Sequence, residues 1–477
     1  MDNSSTDGFV AKARALLGEK GFLQSLDDLA PWLTDWRGRY TGKAIGLAAP
    51  ASTQEVSALV KICADHGVPI VPQGGNSGMS GGATPDNSGR AVILSLRRLD
   101  TIHPVDTETR QVRCDAGVIL QNLHEAAEAE GLRFPLTLGG KGSATVGGLI
   151  STNAGGTQVL RHGTMGAQVL GLEAVLADGS ILNMLEPLKK DNRGFDLKQT
   201  LIGSEGTLGI VTGATLKLVP QIAERTVIWL GLPSVQAARA VLVAFETAMS
   251  EELEGFEIIP SHALTAVLDH LPDARSPVEG EHNWHALVEI VSDTEKHMAQ
   301  LRERIEHVIA DQLDAGLVAD GVLASSEAQA EAFWLLRDSI SAAEKALGPA
   351  MQHDVSVPVA KMADFVAETI PLVEKRFPGT RGMAFGHLGD GNVHYHVRAP
   401  ADGVPGNWEE KDGKAISVFV HDLVTQWGGS ISAEHGIGQM KREELARVGD
   451  PVANAMMRAV KLALDPQGIL NPGKLVP

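Results

Sequence analysis

Val68-Pro-Ile-Val-Pro72, Gln73-Gly-Gly-Asn-Ser-Gly-Met-Ser-Gly-Gly82 and Ala91-Val-Ile-Leu-Ser95 form two short apolar runs joined by a loop with five glycines in ten residues. Successive backbone N–H groups in such a loop can converge on a diphosphate without a basic side chain. The spacing fits neither GxGxxG nor GxxxxGK[S/T], which excludes the Rossmann and Walker readings. Taken alone, the loop reads equally as a surface turn. Upstream, residues 51–67 read as a helix, with Ser52 and Glu55 spaced as a capping box. Val56, Leu59, Val60 and Cys63 make one apolar face.

Two further glycine- and hydroxyl-rich segments shift the balance toward a ligand. Gly139-Gly-Lys-Gly-Ser-Ala-Thr-Val-Gly-Gly148 leads into Ser151-Thr-Asn-Ala-Gly-Gly156, and Gly203-Ser-Glu-Gly-Thr-Leu-Gly209 follows. Three such loops exceed what hairpins require and suit an extended dinucleotide with a flat ring against backbone. Residues 119–130 have helical spacing, and Val169 to Leu182 read as a hairpin turning at Asp178-Gly179. Strands and helices alternate irregularly, which predicts an α+β domain rather than a doubly wound parallel sheet. After Pro220 the glycine density falls, and strand-like runs alternate with amphipathic helices such as 234–249 and 293–314. The expected domains are 1–220, 221–412 and a largely helical 413–477.

Near the C-terminus lie His387-Leu-Gly-Asp-Gly-Asn-Val-His394, Ala433-Glu-His-Gly436 and Asn471-Pro-Gly-Lys474. Read as a hairpin, the first places residues 389–392 in the turn and pairs Leu388 with Val393. His387 then faces His394 directly, with Cβ atoms about 5 Å apart. Two imidazoles at that spacing can share a metal, and Glu434 can supply an oxygen ligand to an open His₂Glu set. His435 is then a neighbouring base. A continuous helix over 327–347 would point Arg337 and Ser341 the same way, at i and i+4. Trp334 and Leu335 imply that this segment is half-buried.

The bulk composition bounds the rest. A chain of 477 residues exceeds a single core. Hydrophobic content of 43% with 21% charged residues is that of a globular protein. No apolar run reaches the roughly 20 residues needed to span a bilayer. The N-terminus lacks a signal-peptide pattern, and a cytoplasmic location is expected. A net charge of −18 argues against a nucleic-acid partner but leaves room for an anionic small substrate met by a local arginine. Cys63 and Cys114 are too few for an iron–sulfur cluster and are expected to be buried and inert.

Pro72–Gly82, Gly139–Gly156 and Gly203–Val211 together resemble the FAD-binding domain of the vanillyl-alcohol-oxidase/PCMH flavoprotein superfamily. The C-terminal motifs resemble its D-2-hydroxy-acid dehydrogenase branch, over roughly residues 40–477. The resemblance implies a two-part FAD-binding domain, an α+β substrate or cap domain, and C-terminal helices returning to the flavin. It places FAD contacts at Pro72, Gly74, Gly75, Asn76, Ser77, Gly78 and Met79 in the first loop. Further contacts fall at Gly139, Gly142, Ser143, Gly147, Gly148, Thr152 and Asn153, and then at Glu205, Gly209, Ile210 and Asn471. Asn76 stands where covalent members carry the attaching histidine, which implies non-covalent FAD.

By the same resemblance, His387, His394 and Glu434 are ligands of a divalent metal, with zinc favoured, and His435 is the general base. Arg337 matches a clamp for a substrate carboxylate, with Ser341, Gln352 and His396 also at the substrate. Two residues depart from the hydroxyglutarate pattern: Gln352 stands in place of lysine and His396 in place of asparagine. The implied reaction is oxidation of a D-2-hydroxy acid to the 2-oxo acid, with D-2-hydroxyglutarate first and D-lactate or another D-2-hydroxy acid second. An electron-transfer flavoprotein or a quinone is the implied acceptor, and a homodimer the implied assembly. A zinc hydrolase built on the same His₂Glu set is the competing reading from another class, and it leaves the glycine loops unused.

Overall fold

The computed structural model describes residues 3–477. Two compact units divide the chain. The first comprises the segment ending at Gly156, His162–Gln221 and Glu434–Pro477, and the second comprises Thr157–Arg161 and Ile222–Ala433.

The first unit holds two four-stranded sheets. In one, Gly46–Ala48, Val92–Ser95 and Ile70–Gln73 run parallel, with Phe22–Leu23 antiparallel at the edge. The helix Thr53–His66 covers it, capped by Ser52, whose hydroxyl accepts the Glu55 N–H. Glu55 reaches back to the Ala51 N–H at 2.7 Å, one residue earlier than a standard capping box. The second sheet is antiparallel, in the order Gln111–Asp115, Ile210–Lys217, Val169–Val175, Ile181–Met184. Its last pair is the hairpin expected at Asp178-Gly179, with Val175 opposite Ile181. Both cysteines are buried, and burial pushes the Cys114 thiol up to about 12.

The C-terminal segment belongs to this unit through specific bonds. Ile70 N–H donates to Ile469 O at 2.7 Å and Asn471 N–H to Ile70 O at 2.8 Å, which sets the chain end alongside the strand that enters the glycine loop. Lys461 Nζ donates to Thr207 O and Leu470 O, both at 2.7 Å. Residues 414–433, expected to go with the C-terminus, instead go with the second unit. The helix Lys414–Gln426 buries Ile416, Val420, Leu423 and Val424 in that unit's core, so burial assigns it there.

The second unit is built on a seven-stranded antiparallel sheet. Its order is Asp320–Leu323, Glu224–Leu232, Trp284–Ser292, Leu253–Pro260, Arg381–His387, Asn392–Arg398, Ala350–Ser356. One face is apolar: Ile228, Phe256, Ile258, Val288, Ala384, Val393 and Tyr395 pack with the helices Val235–Met249, Glu295–Asp314 and Met362–Arg376. Each large side chain withdrawn from water there contributes about 1.5–3 kcal/mol. The other face mixes Trp229, Leu287, Met383 and Phe385 with buried His387, His396, Asp354 and Glu257. Buried charge is costly unless paired, so this face is where chemistry is expected. No helix among the described residues is long and apolar enough to cross a membrane.

Candidate active site

The two histidines share the polar face of the second unit's sheet, but not by direct opposition. His387 pairs with Asn392, Gly386 with Val393 and Phe385 with His394. The turn is therefore 388–391, and Asn392, expected in it, opens the returning strand. Gly391, at φ 82, has its Cα side against Val357 O, where a Cβ would stand at 2.2 Å, and this fixes the turn. The slip displaces His394 by two residues along the strand, which preserves its face. The imidazoles meet diagonally, with ring centroids 5.5 Å apart.

Each imidazole has a carboxylate behind it. His387 Nδ1 is bonded to Glu257 Oε1, from the strand Leu253–Pro260. The other oxygen, Oε2, accepts from Arg337 Nε at 2.9 Å and Nη2 at 2.8 Å. Burial alone would raise the Glu257 carboxyl, but Arg337 and His387 hold it well below the usual carboxylate range. With Nδ1 committed to a carboxylate, His387 keeps its lone pair on Nε2, which lies 3.4 Å from Arg337 Nη2. His394 Nδ1 lies 3.9 Å from Asp354 Oδ1. Asn392 Nδ2 donates to that same Asp354 oxygen at 2.8 Å. Burial, reinforced by His387 and Arg337, holds His394 well below the ordinary imidazole range, so its ring is neutral. A neutral imidazole with a carboxylate behind its second nitrogen is the form that binds metal.

The helix expected over 327–347 breaks at Ser339 into Glu327–Asp338 and Ile340–Ala346. Arg337 and Ser341 therefore lie on different helices, and Ser341 is exposed. Leu335 is exposed as well, whereas Trp334 donates to Glu289 at 2.6 Å. Gln352 and His396 face each other across Ala350–Ser356 and Asn392–Arg398. His396 Nδ1 is bonded to Glu344 on the second helix. Glu257, Asp354 and Glu344 were not assigned from sequence. The one signal available was an acidic residue inside an otherwise apolar strand, as in Phe256-Glu257-Ile258.

The glycine cradle lies in the first unit. A Cβ on Gly75 would stand 1.8 Å from Ser143 O, and one on Gly74 2.2 Å from Thr145 Oγ1. Gly78, Gly139 and Gly142 have open space where a Cβ would go. Ser77 and Met79 flank Gly78 in the same loop, and Pro72 lies against Gly206. Asn76 adopts φ 53 and donates its amide to Thr34 O at 2.8 Å. Gly147, Gly148 and Thr152, expected in a loop, lie in the helix Val146–Thr152, where Gly147 lets Ala116 approach. Asn153 caps that helix in the left-handed region.

Glu205, at φ 51, accepts the N–H groups of Ile437 at 2.7 Å and Gly438 at 2.8 Å. Its carboxylate therefore anchors the segment that follows His435, and burial raises it against those two bonds. Ser80 Oγ donates to His435 O and Gly436 O, each at 3.0 Å. Gly209 is buried, and Ile210 opens the strand Ile210–Lys217, paired with Val175, with its side chain in the hydrophobic core. Asn471 Nδ2 is used by Gly82 O and Glu205 O, but its Oδ1 is buried without a partner, as is Gln73 Oε1. Orphaned buried acceptors fit the N–H and O–H donors of a ligand such as FAD, and the backbone N–H groups of the glycine loops suit its diphosphate.

Two family models match the chain: the FAD binding domain over residues 44–185, and the C-terminal domain of FAD linked oxidases over residues 222–475. The chain belongs to the FAD-linked oxidases. This FAD-linked oxidase is 36% identical to a mitochondrial D-2-hydroxyglutarate dehydrogenase of Arabidopsis thaliana, over 98% of the chain and 81% of that protein. It is also 36% identical to a D-2-hydroxyglutarate dehydrogenase of Xanthomonas citri pv. viticola, over 94% of the chain and 92% of that protein. Its fold is that of p-cresol methylhydroxylase, with a TM-score of 0.77, 18% identity, and coverage of 99% of this chain and 97% of that one.

Proposed function

We propose that this FAD-linked oxidase oxidises a D-2-hydroxy acid to the 2-oxo acid, with D-2-hydroxyglutarate as the leading substrate. The observation that carries the proposal is the single carboxylate of Glu257, which orients His387 and Arg337 together. A cation ligand and a carboxylate clamp held by one group suit a substrate with adjacent hydroxyl and carboxylate. Two relatives named D-2-hydroxyglutarate dehydrogenase, matched over most of their length, support that substrate.

FAD, when bound, supplies the acceptor for a hydride from the substrate α-carbon. A divalent cation, when bound, supplies Lewis-acid polarisation of the substrate hydroxyl. His387 and His394 would hold it through ring nitrogens. Glu434 is the proposed third ligand: it follows Ala433, whose N–H donates to Asp354 O at 3.3 Å beside those histidines. The donor set favours zinc, with manganese and cobalt also suited. Arg337, held on Glu257 through Nε and Nη2, is proposed as the guanidinium that meets a substrate carboxylate. His435 is proposed as the base that takes the hydroxyl proton. Non-covalent FAD, a homodimer, a cytoplasmic location and an electron-transfer flavoprotein or quinone as acceptor complete the proposal. A hydrolase built on the same histidines would have no use for the FAD-binding domain.

Anaerobic mixing with a panel of D- and L-2-hydroxy acids tests the reaction. D-2-Hydroxyglutarate is expected to bleach the flavin absorbance, and the L-isomer is not. Faster bleaching by D-lactate would favour the shorter acid. Bleaching by none of them would end the proposal.

A further inference from the structure

The helix Pro451–Leu464 in the first unit turns its polar side chains inward and its apolar ones outward. Asn454 is the one residue of that helix that is buried, and its Nδ2 donates to Leu445 O at 3.3 Å. Lys461, seven residues on and on the same side, is spent on Thr207 O, Leu470 O and Asp465. The opposite side carries Val452, Met456, Val460 and Leu462, which are 66%, 64%, 37% and 65% exposed. Ala455, Ala459 and Ala463 lie among them and are exposed as well. A helix on a globular surface normally has the reverse order, with its apolar stripe on the core.

Single exposed apolar residues are ordinary, but a contiguous apolar face marks an interaction surface. The four large side chains present on the order of 400 Å², within the range of patches that usually prove functional. With the three alanines and the adjoining helix Arg442–Val448, the face approaches the about 800 Å² that each partner of a stable dimer buries. Charge also favours a second copy. The chain carries a net −18, yet residues 451–464 contain no Asp or Glu, so two copies meeting here bring no acids of these helices together. An antiparallel pair sets the exposed Arg458, in the C-terminal half, toward the other helix's N-terminal end, where Asp450 is the cap. Shape agrees: Val452, Met456 and Val460 form a raised row at four-residue spacing, and Ala455, Ala459 and Ala463 the low row beside it. Rows of that spacing interlock in the commonest class of helix packing, and a face holding both ridge and groove is complementary to itself. A helix that lies on a lipid surface carries several Lys and Arg, whereas Arg458 is the one exposed base here.

We propose that this face is the isologous interface of a homodimer, on which the same helix of a second copy packs antiparallel. This rests on the homodimer proposed above and gives it its contact surface. None of the residues on the face belongs to the machinery of the proposed reaction.

Sedimentation velocity of the FAD-loaded enzyme over a range of concentrations is the test, and the parent is expected to sediment as a dimer that dissociates on dilution. Met456→Lys and Ala459→Arg should each weaken that dimer by about a hundredfold or more, because a substitution enters a two-fold interface twice and sets like charges together. Phe195→Lys, at an exposed apolar residue elsewhere in the same unit, should leave the dimer intact. A dimer that survives both helix substitutions overturns this interface while leaving the homodimer standing, and so does equal dissociation of the Phe195→Lys control. A parent that is monomeric at every concentration overturns the homodimer and the interface together. A monomeric parent that floats with phosphatidylcholine vesicles, and loses that binding in Met456→Lys, assigns the face to a lipid surface instead. Should Met456→Lys or Ala459→Arg fail to fold, Leu462→Lys carries the same measurement.

Discussion

Arg337 places both Nε, at 2.9 Å, and Nη2, at 2.8 Å, on a single oxygen of Glu257. The other oxygen of that carboxylate is bonded to His387 Nδ1. A change at Glu257 is therefore felt by two functional side chains at once, and neither can reorient without leaving a buried charge unpaired.

Glu257→Gln is expected to weaken the hold of His387 on its cation. Removing a carboxylate behind a ligating histidine typically costs about 10–100-fold in metal affinity. It also leaves Arg337 short of its partner, at about 3 kcal/mol of stability. Metal titration and urea unfolding of the variant check both. Parent-like metal affinity would show that the carboxylate does not orient the ligand.

Glu434→Ala and His435→Ala should separate ligand from base. The first is expected to purify with depleted metal. The second should keep metal and FAD while slowing flavin reduction by about 10²–10⁴-fold. Metal analysis beside rapid-mixing absorbance decides the matter. A metal-free His435→Ala, or one reducing its flavin at the parent rate, moves the base elsewhere, with His396 the next candidate.

The flavin is expected to leave the denatured protein. Asn76 spends its amide on Thr34 O at 2.8 Å, and an amide cannot form the link a histidine makes. Acid precipitation should put the yellow chromophore in the supernatant. Colour retained in the washed pellet is the contrary result.

Lys474 predicts a pH dependence in the flavin-depleted protein. Burial lowers its ammonium from 10.5 to about 8, against the pull of Asp86 and Glu205. Between those two values the unfolded chain binds more protons than the folded one, so stability rises with pH across that window. Below about 8 the folded state carries the full cost, on the order of 2–3 kcal/mol. Lys474→Met should accordingly be more stable than the parent at pH 7, and its advantage should shrink by pH 10. Urea midpoints at the two pH values measure it, and an equal difference at both would refute the assignment.

Much of the local structure follows from sequence because its causes are local. Ser52 caps its helix through the N–H three residues on, Asp178-Gly179 closes its hairpin, and the glycines at 74 and 75 stand where no Cβ fits. The histidine face was also legible, for a reason that tolerates an error in register. Side chains along a strand alternate with a period of two, so the slip that pairs His387 with Asn392 keeps both imidazoles on one face. The register itself was not legible, because it is set by Gly391 against Val357 O, a contact from the residue that follows the strand Ala350–Ser356. Nor was the break at Ser339, which places Arg337 and Ser341 on separate helices. Above all, the carboxylates that decide what the histidines can do arrive from afar. Glu257 lies 130 residues from His387 and Glu344 lies 52 from His396. No periodicity connects residues at such separations. Only the order of strands in the sheet, and the helices packed on it, brings each acid to its imidazole.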